Sequence, residues 1–367
     1  MERIKSHLAQ LETDLAADHC KMIDNFKLVI FVLLIFLLQQ LIEFYILSDL
    51  GKNYSDLCRF DCVWYRSIID RGYDSPEVDT LKEKNYAFFP LLPLLVAIFS
   101  TGSALSLIIT SKIFFFLAIF AFIKFCKKFI PEISILVTGS VVTFNPYAIY
   151  ANSGYTESLF LFFTCSCFYL MKQKRYLFFG VSGAFLSATR LVGISMVLSY
   201  FIFTLKEFLS ARYPQKIKII LAGLMLTSGL LAFMLFLHFH TGNFLIFIDS
   251  SKAWGRHISN PITHILFRLK HYDLFALFSI GALSACAYLF ATKRYELAIF
   301  SVLCTMIPLS SGLLVSMPRY IWFQAPILLV LAKLINGVFY SGIPTFISIQ
   351  VMILFYYCWL DGLNFLI

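Results

Sequence analysis

A chain of 367 residues that is 59% hydrophobic and 14% charged, with a mean hydropathy of +0.80, has more apolar surface than a water-soluble core can hide and belongs with polytopic membrane proteins. The net charge of +9 is accounted for by lysines and arginines in cytoplasmic loops and calls for no nucleic acid; no Walker loop or dinucleotide fingerprint is present either. The nine cysteines lie mostly inside apolar runs, which argues against a disulfide framework, and Cys58 and Cys62, four apart on an expected helix, read as a free pair.

In chain order, residues 1–25 are polar and mixed in charge with helical spacing of leucines and alanines, an amphipathic cytoplasmic segment. Phe26 to Leu47 is long enough to cross a bilayer, which takes roughly 20 apolar residues, and serves as a signal anchor. Residues 51–86 form a polar loop, and 87–99 is a short apolar run broken by Pro90 and Pro93, read as re-entrant or interfacial. Further spans are expected at 104–124, 133–151, 157–171, 218–240, 273–291, 296–316, 320–332 and 343–360. The long run 176–205 contains Arg190, and a cation at mid-bilayer is expensive, so the run is divided into two helices meeting there. Lys112 falls inside a span and is expected to face a groove or the bundle interior.

This division gives about eleven transmembrane helices with a cytoplasmic N-terminus, and it puts the clusters Lys124/Lys127/Lys128, Lys172/Lys174/Arg175, Lys206/Arg212/Lys216/Lys218 and Lys293/Arg294 on the cytoplasmic side. The loop 51–86, the turn before Glu157, Arg190, the loop 241–272 and the turn at Arg319 then share the extracytoplasmic side. No internal repeat is evident, so residues 26–367 read as one all-α membrane domain.

Seven strings are spread over most of the chain in a fixed order: Phe60-Asp61-Cys62-Val63-Trp64-Tyr65, Gly72-Tyr73, Ala87-Phe88-Phe89-Pro90-Leu91-Leu92-Pro93, Asn145-Pro146, Tyr155-Thr156-Glu157-Ser158-Leu159-Phe160, Ala188-Thr189-Arg190-Leu191-Val192-Gly193 and Pro318-Arg319-Tyr320. In these strings the sequence resembles the GPI mannosyltransferase II (PIG-V) family and its bacterial relatives, membrane glycosyltransferases of the GT-C architecture. The resemblance implies transfer of one hexose, mannose above others, with inversion, from a polyprenyl- or dolichyl-phosphate donor to an extracytoplasmic or luminal acceptor. The chain is shorter than the eukaryotic members, which favours a bacterial inner membrane over the endoplasmic reticulum. The alternatives are a lipid-linked-sugar flippase or transporter and a non-catalytic subunit of a membrane glycosylation complex.

Such a transfer needs one base, because the phosphate leaves without a proton, and general-base help contributes about 100- to 10,000-fold. The resemblance puts the catalytic acid at Asp61, ahead of the Trp64-Tyr65 pair; its other reading is a cap on a loop helix. Glu157 either orients the acceptor sugar or favours the positive start of its helix. Asp70 and Asp74 are weaker candidates. Arg190, Arg256 and Arg319 are the expected ligands of the donor phosphate, since guanidinium binds phosphate through two parallel bonds; the alternative is snorkelling to headgroups. Trp64, Tyr65 and Trp254 are candidates for contact with sugar, or markers of the interface. His257, His264 and His271 recur every seven residues, about 10 Å apart on a helix, too far to share an ion. No metal and no cofactor is expected.

Overall fold

The computed structural model describes residues 2–75, 83–99, 103–271, 273–312, 314, 316–338 and 342–363, with side chains from residue 23 onward. Among these residues every regular element is helical. Helix α1 (Glu2–Asp49) contains no glycine or proline and continues through the expected boundary at residue 26; Gly51, with φ +60°, turns the chain after it. The polar loop holds α2 (Asp61–Arg71), while residues 76–82 of that loop lie outside the described set. After Pro90 comes α3 (Leu91–Phe99), nine residues long. At 1.5 Å per residue it spans about 13 Å, well short of a hydrocarbon core of roughly 30 Å.

Helix α4 (Ala104–Phe129) starts at Ser103, whose hydroxyl accepts the Ser106 amide at 3.2 Å. The expected span 133–151 is not one helix: it divides into α5 (Ile135–Thr143) and α6 (Ile149–Asn152), because Pro146 has no N–H to continue the ladder. Helix α7 (Glu157–Lys172) is followed by α8 (Tyr176–Thr189), which stops at Arg190 in extended conformation, φ −158° and ψ 149°. A 3-10 turn (Leu191–Ser195) then leads into α9 (Met196–Ser210), so the charge ends a helix as expected.

Helix α10 (Tyr213–Thr241) has Pro214 in its first turn and ends at Gly242, φ +78°. Next come α11 (Ile246–Ser251), α12 (Pro261–Lys270) behind an Asn260 cap, α13 (Leu274–Ala291) behind an Asp273 cap, and α14 (Tyr295–Leu309). The span expected to begin at Tyr320 begins instead at α16 (Ala325–Asn336), and Tyr320 belongs to a separate five-residue helix, α15 (Met317–Ile321). Helix α17 (Gly342–Leu360) closes the chain.

Among the described residues, six stretches are long and apolar enough to cross a membrane: Ile23–Asp49, Ala104–Phe129, Leu191–Ser210, Tyr213–Thr241, Leu274–Ala291 and Gly342–Leu360. Their outer faces carry exposed Leu34, Leu41, Leu224, Leu231 and Phe346, a surface suited to acyl chains. The protein is a multi-pass helical membrane protein.

Two packing features position the site. The first is a close crossing of α8 on α10, where a Cβ at Gly229 would stand 1.9 Å from the Ala184 carbonyl oxygen and Ser187 Oγ donates to the Leu226 carbonyl at 2.7 Å. Small residues let helices approach this closely where no hydrophobic effect drives them together. The second is a buried polar knot between α1, α4 and α17. Lys112 donates to Glu43 and Gln40, Tyr356 donates to Glu43 at 2.9 Å, and Gln39 donates to Tyr356 at 2.8 Å. Lys112 thus faces the bundle interior and is paired, which removes most of the cost of a charge at that depth.

Cys58 and Cys62 are joined in a disulfide, contrary to the expectation of a free pair. That expectation put both on one helix; instead α2 begins only at Asp61, Cys58 is extended, and the two Cα atoms stand 5.1 Å apart, within bridging range. The six cysteines outside the polar loop whose state is described, Cys126, Cys165, Cys167, Cys286, Cys304 and Cys358, are free and buried.

Candidate active site at the Asp61 turn

The turn that presents Asp61 is held from three directions. From α17, the Trp359 indole N–H donates to the Leu57 carbonyl at 3.1 Å, and Arg59 donates to the Trp359 carbonyl. From the turn before α7, the Tyr155 hydroxyl accepts the Asp61 amide at 3.1 Å and donates to the Arg59 carbonyl at 3.0 Å. The disulfide closes the third side. It packs on Gly154, where φ is +79° and a Cβ would fall 2.6 Å from Cys62 Sγ, so this position requires glycine twice over.

Between these restraints Phe60 adopts φ +50° and ψ −113°, a region that a bulky L-residue enters at a cost of roughly 1–3 kcal/mol. Its ring meets Trp359 edge-on at 5.2 Å. The strain directs Asp61 to the first position of α2, where the unpaired amides favour a carboxylate.

Asp61 enters a network of charges. Arg319 Nη1 donates to Asp61 Oδ2 at 2.8 Å, and Arg319 Nε lies 3.0 Å from Glu157 Oε1. Arg190 Nη1 donates to the same Glu157 oxygen at 2.7 Å. Exposure grades across the network, with side chains of Glu157, Arg319 and Asp61 at 1%, 7% and 29%. Asp61 is therefore the most exposed member of the network, and Glu157 contacts both arginines. Glu157 Oε2 is buried and has no hydrogen-bond partner among the described residues.

Arg256 arrives from the loop after α11. Its Nη2 donates to the Tyr320 hydroxyl at 3.2 Å and its Nη1 to Ser311 Oγ at 2.9 Å. Arg190 and Arg319 lie over the Tyr320 ring at 4.7 and 5.3 Å from its centroid. Beside the charges stands an aromatic wall: Trp64 stacks on Phe88 at 5.8 Å, and Trp254 meets both edge-on at 5.5 and 5.8 Å. Tyr65 is buried behind that wall, its hydroxyl 3.5 Å from Thr156 Oγ1, and burial, with Asp61 adding to it, pushes its phenol up.

All eight residues expected in the site thus gather in one region, from segments as far apart in the chain as Asp61 and Arg319. The weaker candidates lie elsewhere. Asp70 pairs with Arg66 at 3.4 Å on the surface. Asp74 pairs with Arg71 at 3.3 Å and accepts the Asn85 amide at 2.8 Å. No group of three or more His, Cys, Asp or Glu suited to a metal occurs among the described residues.

Sequence reasoning did not single out Tyr155 or Tyr320 for a role of their own. Tyr155 stands two residues before Glu157 and Tyr320 directly follows Arg319, and both lie within the strings that carry the resemblance, which was the signal available. No protein-family model matches the chain, and no curated protein sequence matches it.

Proposed function

We propose that the protein is a GT-C-type glycosyltransferase with about eleven crossings and an extracytoplasmic site. It moves one hexose, mannose above others, from a polyprenyl-phosphate donor to a hydroxyl acceptor. The observation that carries this reading is Asp61: a partly exposed carboxylate on a strained, triply braced turn, oriented by a buried arginine that a second carboxylate holds in place. Bracing of this kind restricts a base to one geometry, which is what general-base catalysis requires. The Cys58–Cys62 disulfide supports an oxidising, non-cytoplasmic location for the turn.

In this mechanism an acceptor hydroxyl approaches the anomeric carbon from the face opposite the phosphate. Asp61 takes its proton as the new C–O bond forms, the C–O bond to phosphate breaks, and the electron pair leaves on the phosphate, giving inversion. Arg256, with Arg190 and Arg319 behind it, faces the departing charge. Trp64 and Trp254 offer aromatic faces to the sugar, and Glu157, buried behind Asp61, holds Arg190 and Arg319 in place.

The test is Asp61→Asn, inserted and folded in membranes and supplied with labelled polyprenyl-phosphate mannose. Transfer should drop by about 100- to 10,000-fold. Full transfer by this variant refutes the assignment of the base, and movement of labelled lipid between leaflets without product favours a transporter.

A further inference from the structure

Three guanidiniums converge on one phenol, and their charges do not balance. Arg190 and Arg319 are matched by Glu157 and Asp61, whereas Arg256 has two neutral partners, Ser311 and Tyr320, and no acidic one among the described residues. Among the described residues one positive charge is thus left over at a half-buried position, where a lone ion is costly. The place calls for an anion of single charge. A lipid phosphodiester supplies one, and so does the ionised form of Tyr320 itself. Because the Tyr320 oxygen accepts from Arg256, its own O–H remains free to donate to a ligand beside it.

We propose that Tyr320 is a specificity-determining gate on this anion site: as a neutral phenol it donates to a phosphodiester oxygen lying against Arg256, and as a phenolate it takes that oxygen's place and excludes it. The inference rests on the reading of the site as one for a lipid-phosphate sugar.

The surroundings set where the gate operates. Burial raises the phenol. Arg256 from the loop after α11, Arg319 from its own helix and Arg190 from the end of α8 lower it, while Asp61 from α2 opposes them; the outcome is a phenol held down at about 7. Below that pH Tyr320 carries its proton and the site accepts an anion. Above it the phenolate neutralises Arg256 and repels phosphate. A phosphodiester keeps its single charge throughout this range, so the ligand adds no pH dependence of its own.

The experiment is equilibrium binding of labelled polyprenyl-phosphate mannose to the purified full-length protein in detergent, without acceptor, from pH 6 to 9, alongside Tyr320→Phe and Arg256→Gln. Wild type should bind about tenfold more weakly for each pH unit above about 7, as expected for one titrating group. Tyr320→Phe keeps the ring and the packing. It should bind independently of pH, and at pH 6 about 10- to 100-fold more weakly than wild type for want of one hydrogen bond to a charged group. Arg256→Gln should bind weakly at every pH.

A flat wild-type profile, or an alkaline loss that persists in Tyr320→Phe, overturns the gate, and sugar transfer by the same wild-type preparation would leave the transferase reading standing. Gated binding without transfer to any acceptor refutes the transferase reading and keeps the gate. Absence of wild-type binding at any pH overturns both.

Discussion

Glu157 and Asp61 contact the same arginine, yet their removal should have opposite consequences. Glu157 meets Arg190 at 2.7 Å and Arg319 at 3.0 Å with its side chain 1% exposed. With those separations and an effective dielectric near 20, each contact supplies about 6 kcal/mol of attraction. Several kcal/mol per ion is spent on desolvation, and measured losses on removing one partner of a buried pair are about 3–5 kcal/mol. Glu157→Gln leaves two buried guanidiniums facing one partly exposed carboxylate, so it belongs at that level. Asp61→Asn removes one contact at the exposed end and leaves Arg319 paired with Glu157, a loss of about 1–2 kcal/mol, between exposed and buried pairs.

The buried free cysteines provide the assay, since a thiol-reactive fluorophore labels Cys126, Cys165, Cys167, Cys286, Cys304 and Cys358 only as the bundle opens in detergent. At about 2 °C per kcal/mol, Glu157→Gln should melt about 6–10 °C below wild type and Asp61→Asn about 2–4 °C below. Asp61→Asn should nevertheless lose sugar transfer while still folded. Equal melting shifts, or a larger shift for Asp61→Asn, would refute the assignment of Glu157 as anchor and Asp61 as reactive group.

Lys112→Met alone should lower the melting temperature by the amount typical of a broken buried pair, about 3–5 kcal/mol, and adding Glu43→Gln should recover most of it, as a double-mutant cycle will show. Gly229→Ala pushes a methyl into the Ala184 carbonyl; separating α8 from α10 should cost about 1–3 kcal/mol and reduce transfer by displacing Arg190, measurable in the same melting and transfer assays. A cysteine introduced at exposed Ser55 should react with an impermeant maleimide from outside intact cells, and labelling from the cytosolic side alone would invert the orientation.

Local sums along the chain were enough to identify the class. Hydropathy and the absence of helix breakers place α1, α4, α10, α13 and α17, and the cost of an unpaired cation in hydrocarbon is enough to predict the interruption at Arg190. The same sums misplaced elements where one residue outweighs its neighbours. Pro146 cuts an apolar run in two, and the start of α2 at Asp61, three residues beyond Cys58, permits a disulfide that a continuous helix would have forbidden.

Which charges belong together is a different kind of question. Asp61, Glu157, Arg190 and Arg319 each look like a boundary residue in its own segment, and nothing local says that Arg319 bridges the two acids, that Lys112 is paired with Glu43, or that Arg256 has no acidic partner among the described residues. Hydrophobicity is additive over a window, so composition alone determined that this protein is a helical membrane bundle. Ion pairing depends on separations of a few ångströms between segments far apart in sequence, and only the packing of α2, α7, α8 and α15 decided that Asp61, Glu157, Arg190 and Arg319 form one network.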